Sequence, residues 1–157
     1  MNARAAVCLF ALTFVAIVAR AEAHVTAAPA ELRAGSYDEI TFRCPDERAN
    51  SATTKLVVQM PQDHRIASVK LRRVPGWRGT VTMRNGAVDT ITWEGGTIAP
   101  DEYQDFSIPA GPMPAVATEL VFKAVQTYAN GEIVRWIELR RAGEPEPAFP
   151  APVVRIR

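Results

Sequence analysis

Period-two alternation of apolar and polar residues, punctuated by Asn-Gly pairs, constrains this 157-residue chain more than any other feature. In residues 37–43, Ile40 and Phe42 fall on one face, Thr41 and Arg43 on the other. Leu56, Val58 and Met60 share a face over 53–60, and Pro61 ends that run. Over 66–74, Val69 and Leu71 oppose Lys70 and Arg72. Patterning of this kind marks half-buried antiparallel strands. Asn85-Gly86, between 80–83 and 87–93, tolerates positive φ at both turn positions and predicts a tight hairpin. Asn130-Gly131 predicts a second, between 119–128 and 132–140. Leu120, Phe122, Ala124 and Gln126 share one face of its first strand. On its second, Ile133, Arg135 and Ile137 alternate with Val134, Trp136 and Glu138. Gly95-Gly96 and residues 109–114 read as loops.

No stretch sustains a 3.6-residue period, and 12 prolines would interrupt long helices. The expected fold is therefore all-β: an antiparallel two-sheet sandwich of immunoglobulin or fibronectin III type. The segment 143–152, with Pro145, Pro147, Pro150 and Pro152, is expected to be extended and loosely held. Residues 153–156 could add a short final strand.

The N-terminus reads as an export leader. Arg4 gives a positive start, residues 5–19 are apolar and uncharged, and Ala21-Glu22-Ala23 supplies the small residues of a cleavage site. The apolar run is shorter than the roughly 20 residues that span a bilayer, and Arg20 interrupts it. The expected organisation is a cleaved leader over 1–23, a sandwich over 24–142 and a proline-rich tail over 143–157. The processed chain would be periplasmic or secreted, without membrane insertion. Removing Arg4, Arg20 and Glu22 takes Lys plus Arg from 18 to 16 and Asp plus Glu from 17 to 16. That balance argues against a nucleic-acid partner, which needs a basic surplus.

Cleavage after Ala23 would leave His24 first, offering the new α-amine and a ring nitrogen to one metal ion. Nitrogen and oxygen donors suit Cu(II), which is favoured intrinsically over other divalent first-row metals. The amine and imidazole titrate near 8 and 6.5 when unperturbed, so neutral pH permits binding and acid weakens it. A carboxylate would complete the set and reduce its charge. Asp46 and Glu47 are the nearest after the first strand, although an Asp-Glu pair in a loop is more often a solvated turn. His64, in Gln62-Asp63-His64-Arg65, reads as an exposed turn residue. Cys44, the only cysteine left after cleavage, has no intramolecular partner and reads as a small buried hydrophobe. A soft Cu(I) ligand or an intermolecular bridge is the sharper alternative for it. Trp77, Trp93 and Trp136 suit ordinary sandwich packing.

The chain resembles the YcnI-like family of secreted bacterial copper-binding domains. The resemblance rests on His24-Val25-Thr26, Ala34-Gly35-Ser36-Tyr37, and Pro45-Asp46-Glu47 leading to Ser51-Ala52-Thr53-Thr54-Lys55. It continues through Pro75-Gly76-Trp77, Ile91-Thr92-Trp93, and Gln126-Thr127-Tyr128 to Arg135-Trp136. It implies a β-sandwich binding Cu(II) through a mono-histidine brace. His24 would give amine and ring nitrogen and Glu47 the carboxylate, with Asp46 its neighbouring alternative. Trp136 would lie beside the metal, shielding it from water and limiting its redox chemistry. The function so implied is non-enzymatic: copper storage, buffering or transfer, with the copper ion and another copper-trafficking protein as partners. Two alternatives belong to other classes. An oxidative copper enzyme of lytic-monooxygenase type would need a second histidine, for which only His64 is present. A metal-free immunoglobulin-like interaction module would need none.

Overall fold

The computed structural model describes residues 24–157; the leader expected over 1–23 lies outside the described residues. The described residues form twelve strands: β1 (Thr26–Ala28), β2 (Glu31–Leu32), β3 (Asp38–Pro45), β4 (Thr53–Gln59), β5 (Ser68–Val69), β6 (Arg78–Arg84), β7 (Ala87–Ile98), β8 (Tyr103–Gly111), β9 (Thr118–Val121), β10 (Lys123–Tyr128), β11 (Ile133–Trp136) and β12 (Val153–Ile156). Among the described residues there is no helix, hence none long and apolar enough to cross a membrane.

A four-stranded sheet in the order β1-β3-β8-β5 packs against a five-stranded sheet in the order β11-β10-β4-β7-β6. Their inward faces meet through aromatic side chains. Phe42 of β3 lies 5.1 Å from Phe122 and 6.3 Å from Trp93, and Trp93 of β7 lies 4.9 Å from Phe106 of β8, centroid to centroid. All four are buried, as are Ile40, Leu56, Val58, Ile91 and Ile108, the inward members of the alternating runs. Aromatic pairs at these spacings are favourable beyond the area they bury. The all-β sandwich is therefore what the alternation specifies.

A third sheet, β2-β12-β9, adds to the expected pair, and within it β12 runs parallel to β2. It exists because the run 119–128 is two strands. Phe122 turns its backbone N–H to Pro152 O (2.9 Å), so β9 pairs with β12 while β10 pairs with β4 and β11. Side-chain alternation continues across the break: Leu120, Phe122 and Ala124 are all buried.

Asn85 and Gly86 adopt φ of 50° and 76°, the left-handed pair expected of a tight hairpin between β6 and β7. Gly95-Gly96 is not a loop. Both residues lie inside β7, where the pairing with β4 shifts register between Lys55↔Glu94 and Thr53↔Ile98. Glycine serves such an irregularity because φ of +91° at Gly95 carries no steric cost there. Gly96 has a different reason: a Cβ there would overlap the indole of Trp77, which packs edge-on to Phe106 at 5.0 Å. Gly96→Ala is expected to destabilise the protein by about 1–3 kcal/mol, the usual cost of overpacking, measurable by denaturant unfolding.

Within 143–152, residues 149–151 are held rather than loose. Phe149 O accepts from the N–H groups of Ile137 and Glu138 (3.0 Å each), and Ala151 N–H donates to Glu138 O (2.8 Å). Phe149 N–H donates to Glu138 Oε2 (2.8 Å). The segment continues β11 as an irregular pairing and so covers the end of that strand.

Candidate metal centre

His24 lies two residues ahead of the first residue of β1. That strand pairs with β3 in the register Thr26↔Arg43, Ala27↔Phe42. Carried two residues back along the chain, the register sets His24 level with Pro45, so Asp46 and Glu47 follow just past the histidine. The His24 side chain is only 13% exposed. Its ring lies 5.5 Å from Trp136, tilted by 50°, and Trp136 meets Phe149 edge-on at 5.7 Å. His24 Nδ1 stands 3.6 Å from Glu146 Oε1. Glu146 also pairs with Arg140. In the unprocessed chain the backbone nitrogen of His24 belongs to a peptide bond, so a terminal amine would exist only after cleavage.

Trp136 ends β11, opposite Ala124 of β10 and diagonal to Gln126 on the same inward face. Its indole Nε1–H donates to Gln126 Oε1 (3.0 Å). Gln126 is fully buried, and its Nε2 donates to Pro45 O (2.8 Å) and to Thr53 Oγ1 (2.7 Å). Thr53 in turn gives its N–H (2.6 Å) and its hydroxyl (2.8 Å) to Asp46 Oδ2, while Arg48 N–H donates to Asp46 Oδ1 (2.8 Å). One chain of hydrogen bonds thus ties the tryptophan beside His24 to the corner 45–48. Such a network is rigid because every member is satisfied.

The two neighbouring carboxylates differ sharply. Asp46 is 2% exposed and accepts three hydrogen bonds that build the corner. Glu47 is exposed. Next to it, Arg48 is clamped by both carboxylate oxygens of Glu132 (2.7–3.1 Å) and lies over the Tyr128 ring at 5.2 Å. Hydrogen bonding to Glu132 raises the Arg48 pKa, against the lowering effect of partial burial, and Glu47 adds a smaller attraction. The guanidinium is thereby committed to Glu132.

Cys44 is buried on β3. Desolvation, with a smaller contribution from the Asp46 charge, pushes its thiol pKa up, so it stays protonated and inert. His64 meets Thr118 Oγ1 through Nε2 at 2.8 Å, a different partner set from that of His24. Among the described residues no cluster of three or more His, Cys, Asp and Glu side chains is assembled for a metal. What the described residues do bring together is one imidazole with a carboxylate, Glu146 Oε1, 3.6 Å from its Nδ1. That is a nitrogen-and-oxygen set of the kind divalent copper takes.

The sequence reading singles out His24, Glu47 and Trp136 but not Gln126, Glu146 or Phe149. Gln126 leaves a trace: it is the one amide on the otherwise apolar face of Leu120, Phe122 and Ala124. Glu146 and Phe149 leave none, because only the folding of 143–152 onto β11 brings them to the histidine.

A family model described as Domain of unknown function (DUF1775) matches residues 24–156. The Copper-binding protein CutI of Bacillus subtilis (strain 168) is 36% identical over 120 residues, covering 75% of this chain and 57% of that protein. The chain therefore spans a little over half the length of that relative. Among solved structures, an uncharacterized protein from Nocardia farcinica with an immunoglobulin-like fold aligns at TM-score 0.77 and 31% identity, over 85% of this chain and 97% of that one. A cohesin module from a Clostridium perfringens family 33 glycoside hydrolase aligns at TM-score 0.50 and 11% identity, over 85% and 95%; that likeness concerns the fold alone.

Proposed function

We propose that this chain, which belongs to the DUF1775 (YcnI-like) family, is a copper(II) carrier or buffer acting outside the cytoplasm after removal of residues 1–23. The cargo would be held by the His24 amine and Nδ1 and by Glu47, with Trp136 covering one side. The carrying observation is the juxtaposition at β1 and β11: the His24 ring 5.5 Å from Trp136, itself tied through Gln126 to the corner that bears Glu47. The name of the 36% identical relative supports copper binding.

Each group has a distinct task. The amine and imidazole are neutral donors that belong to one residue, so their chelation costs little ordering. The carboxylate offsets one positive charge of the ion. Trp136, 6% exposed, occupies space from which water and oxygen would otherwise approach. This suits holding and releasing an ion better than oxidising a substrate. A catalytic brace would require a second imidazole, and His64 is bonded to Thr118 instead.

The test is electron paramagnetic resonance of protein carrying a free His24 amine, at one equivalent of Cu(II). A mononuclear signal with nitrogen hyperfine structure is expected. It should be lost when one alanine is added ahead of His24 and unchanged in His64→Ala. An identical spectrum from the extended protein would refute the brace. Loss of the signal in His64→Ala would favour the enzyme-like alternative.

A further inference from the structure

We infer that Glu146, on the proline-rich segment 143–152, is a second carboxylate donor to copper bound at His24. The inference rests on the proposed function and deepens it: the site would be closed by the C-terminal segment as well as by the corner at Glu47.

The argument begins with which ring nitrogen can chelate. An N-terminal histidine that binds one ion through its amine closes a six-membered ring only through Nδ1, because the Nε2 lone pair points away from the backbone. Nδ1 is the nitrogen that faces Glu146, 3.6 Å from Oε1. That separation is too long for a hydrogen bond. It does suit two donors of one ion: with metal–nitrogen and metal–oxygen bonds of roughly 2.0–2.2 Å, donors at right angles lie about 2.9 Å apart and opposed donors about 4.1 Å. The observed distance falls between these limits, so Glu146 can share an ion with Nδ1 with little movement.

The segment is placed, not adventitious. Backbone bonds from Ile137, Glu138 and Ala151 fix residues 149–151 against the end of β11, and Phe149 packs on the tryptophan that faces His24. Pro145 and Pro147 flank Glu146 and restrict its backbone. Charge points the same way. Two neutral nitrogens and the Glu47 carboxylate leave a bound cupric ion with one net positive charge, which attracts a further carboxylate. A second carboxylate brings the site to neutrality. In the metal-free chain Arg140 balances Glu146, and that pair is exposed enough to yield at little cost.

The experiment uses processed protein with a free His24 amine, titrated with Cu(II) against a competing chelator. Glu146→Gln is expected to weaken binding by more than about 100-fold, beyond the range for groups that only support a ligand, and to shift the parallel g and hyperfine values of the cupric spectrum. The melting temperature of the metal-free protein should not move. Arg140→Ala, which frees the carboxylate, should keep or tighten binding. If Glu146→Gln binds like wild type while His24→Ala does not bind, the inference fails and the proposed function stands. Tighter binding by Glu146→Gln would likewise overturn it, making Glu146 a competitor for the histidine. Absence of cupric uptake by wild type would overturn both.

Discussion

Asp46→Ala should lower the unfolding free energy by about 3 kcal/mol or more, whereas Glu47→Gln should leave it within about 0.5 kcal/mol and weaken copper binding instead. The two residues are adjacent, yet Asp46 is buried and hydrogen-bonded while Glu47 is exposed. Truncating Asp46 orphans the N–H and hydroxyl of Thr53, a fully buried residue, together with the N–H of Arg48. Each buried donor left without a partner costs about 1–3 kcal/mol, and water reaches Arg48 more readily than Thr53. Glu47 is exposed, so losing its charge disturbs packing little. In the donor role proposed for it, it should matter more than a supporting group, whose loss typically costs 10- to 100-fold in metal affinity; a loss beyond about a hundredfold is expected. Chemical denaturation and chelator competition on both variants check the pair. If Glu47→Gln retained wild-type affinity while folded Asp46→Ala lost it, the donor assignment would pass to Asp46.

The architecture was legible where alternation is uninterrupted. Ile40 and Phe42, Leu56 and Val58, and Ala124 and Gln126 are all inward and buried as their spacing requires. Legibility failed where a residue's local preference misleads. Pro109 makes 109–114 look like a loop, but β8 runs through it to Gly111. Pro109 faces outward, its carbonyl accepts Lys70 N–H (2.8 Å), and proline's missing donor is tolerated at that position. The strands β1 and β2 are too short to show any period. They form because β3 and β12 offer them edges, which is tertiary information. The break at Phe122 was hidden for the converse reason: alternation persists while the backbone changes sheets.

The site was legible in part, through chemistry more than through pattern. The proposed chelate comes from a histidine behind a small-residue motif irrespective of fold, and the structure adds that the His24 ring lies beside Trp136. The choice between Asp46 and Glu47 could not be read from spacing, since adjacent residues have identical spacing. Which of the two is buried depends on which carboxylate receives the Thr53 and Arg48 donors, and that is decided by how the corner folds. Glu146 was invisible because 122 positions separate it from His24 in the chain, as their numbers show, and only the pairing at residues 137–138 closes the gap.

Gln126→Leu carries the second large effect, on a residue that touches no ion. Leucine is no smaller than glutamine, so no cavity forms, but three hydrogen bonds vanish: those to Trp136 Nε1, Pro45 O and Thr53 Oγ1. A stability loss of about 2–4 kcal/mol is expected from the partners left unsatisfied. Copper affinity should fall about 10- to 100-fold as well, the range for residues that orient ligands, because Trp136 and the corner lose their common anchor. A double-mutant cycle separates this coupling from general damage. Trp136→Phe alone strands Gln126 Oε1, while Trp136→Phe with Gln126→Leu removes both ends of that bond. The combined loss should therefore be smaller than the sum of the single losses by about 1 kcal/mol or more. Additive effects on stability, with copper affinity unchanged in Gln126→Leu, would mean that the glutamine merely fills the core and that the tryptophan keeps its place beside His24 by packing on Phe149.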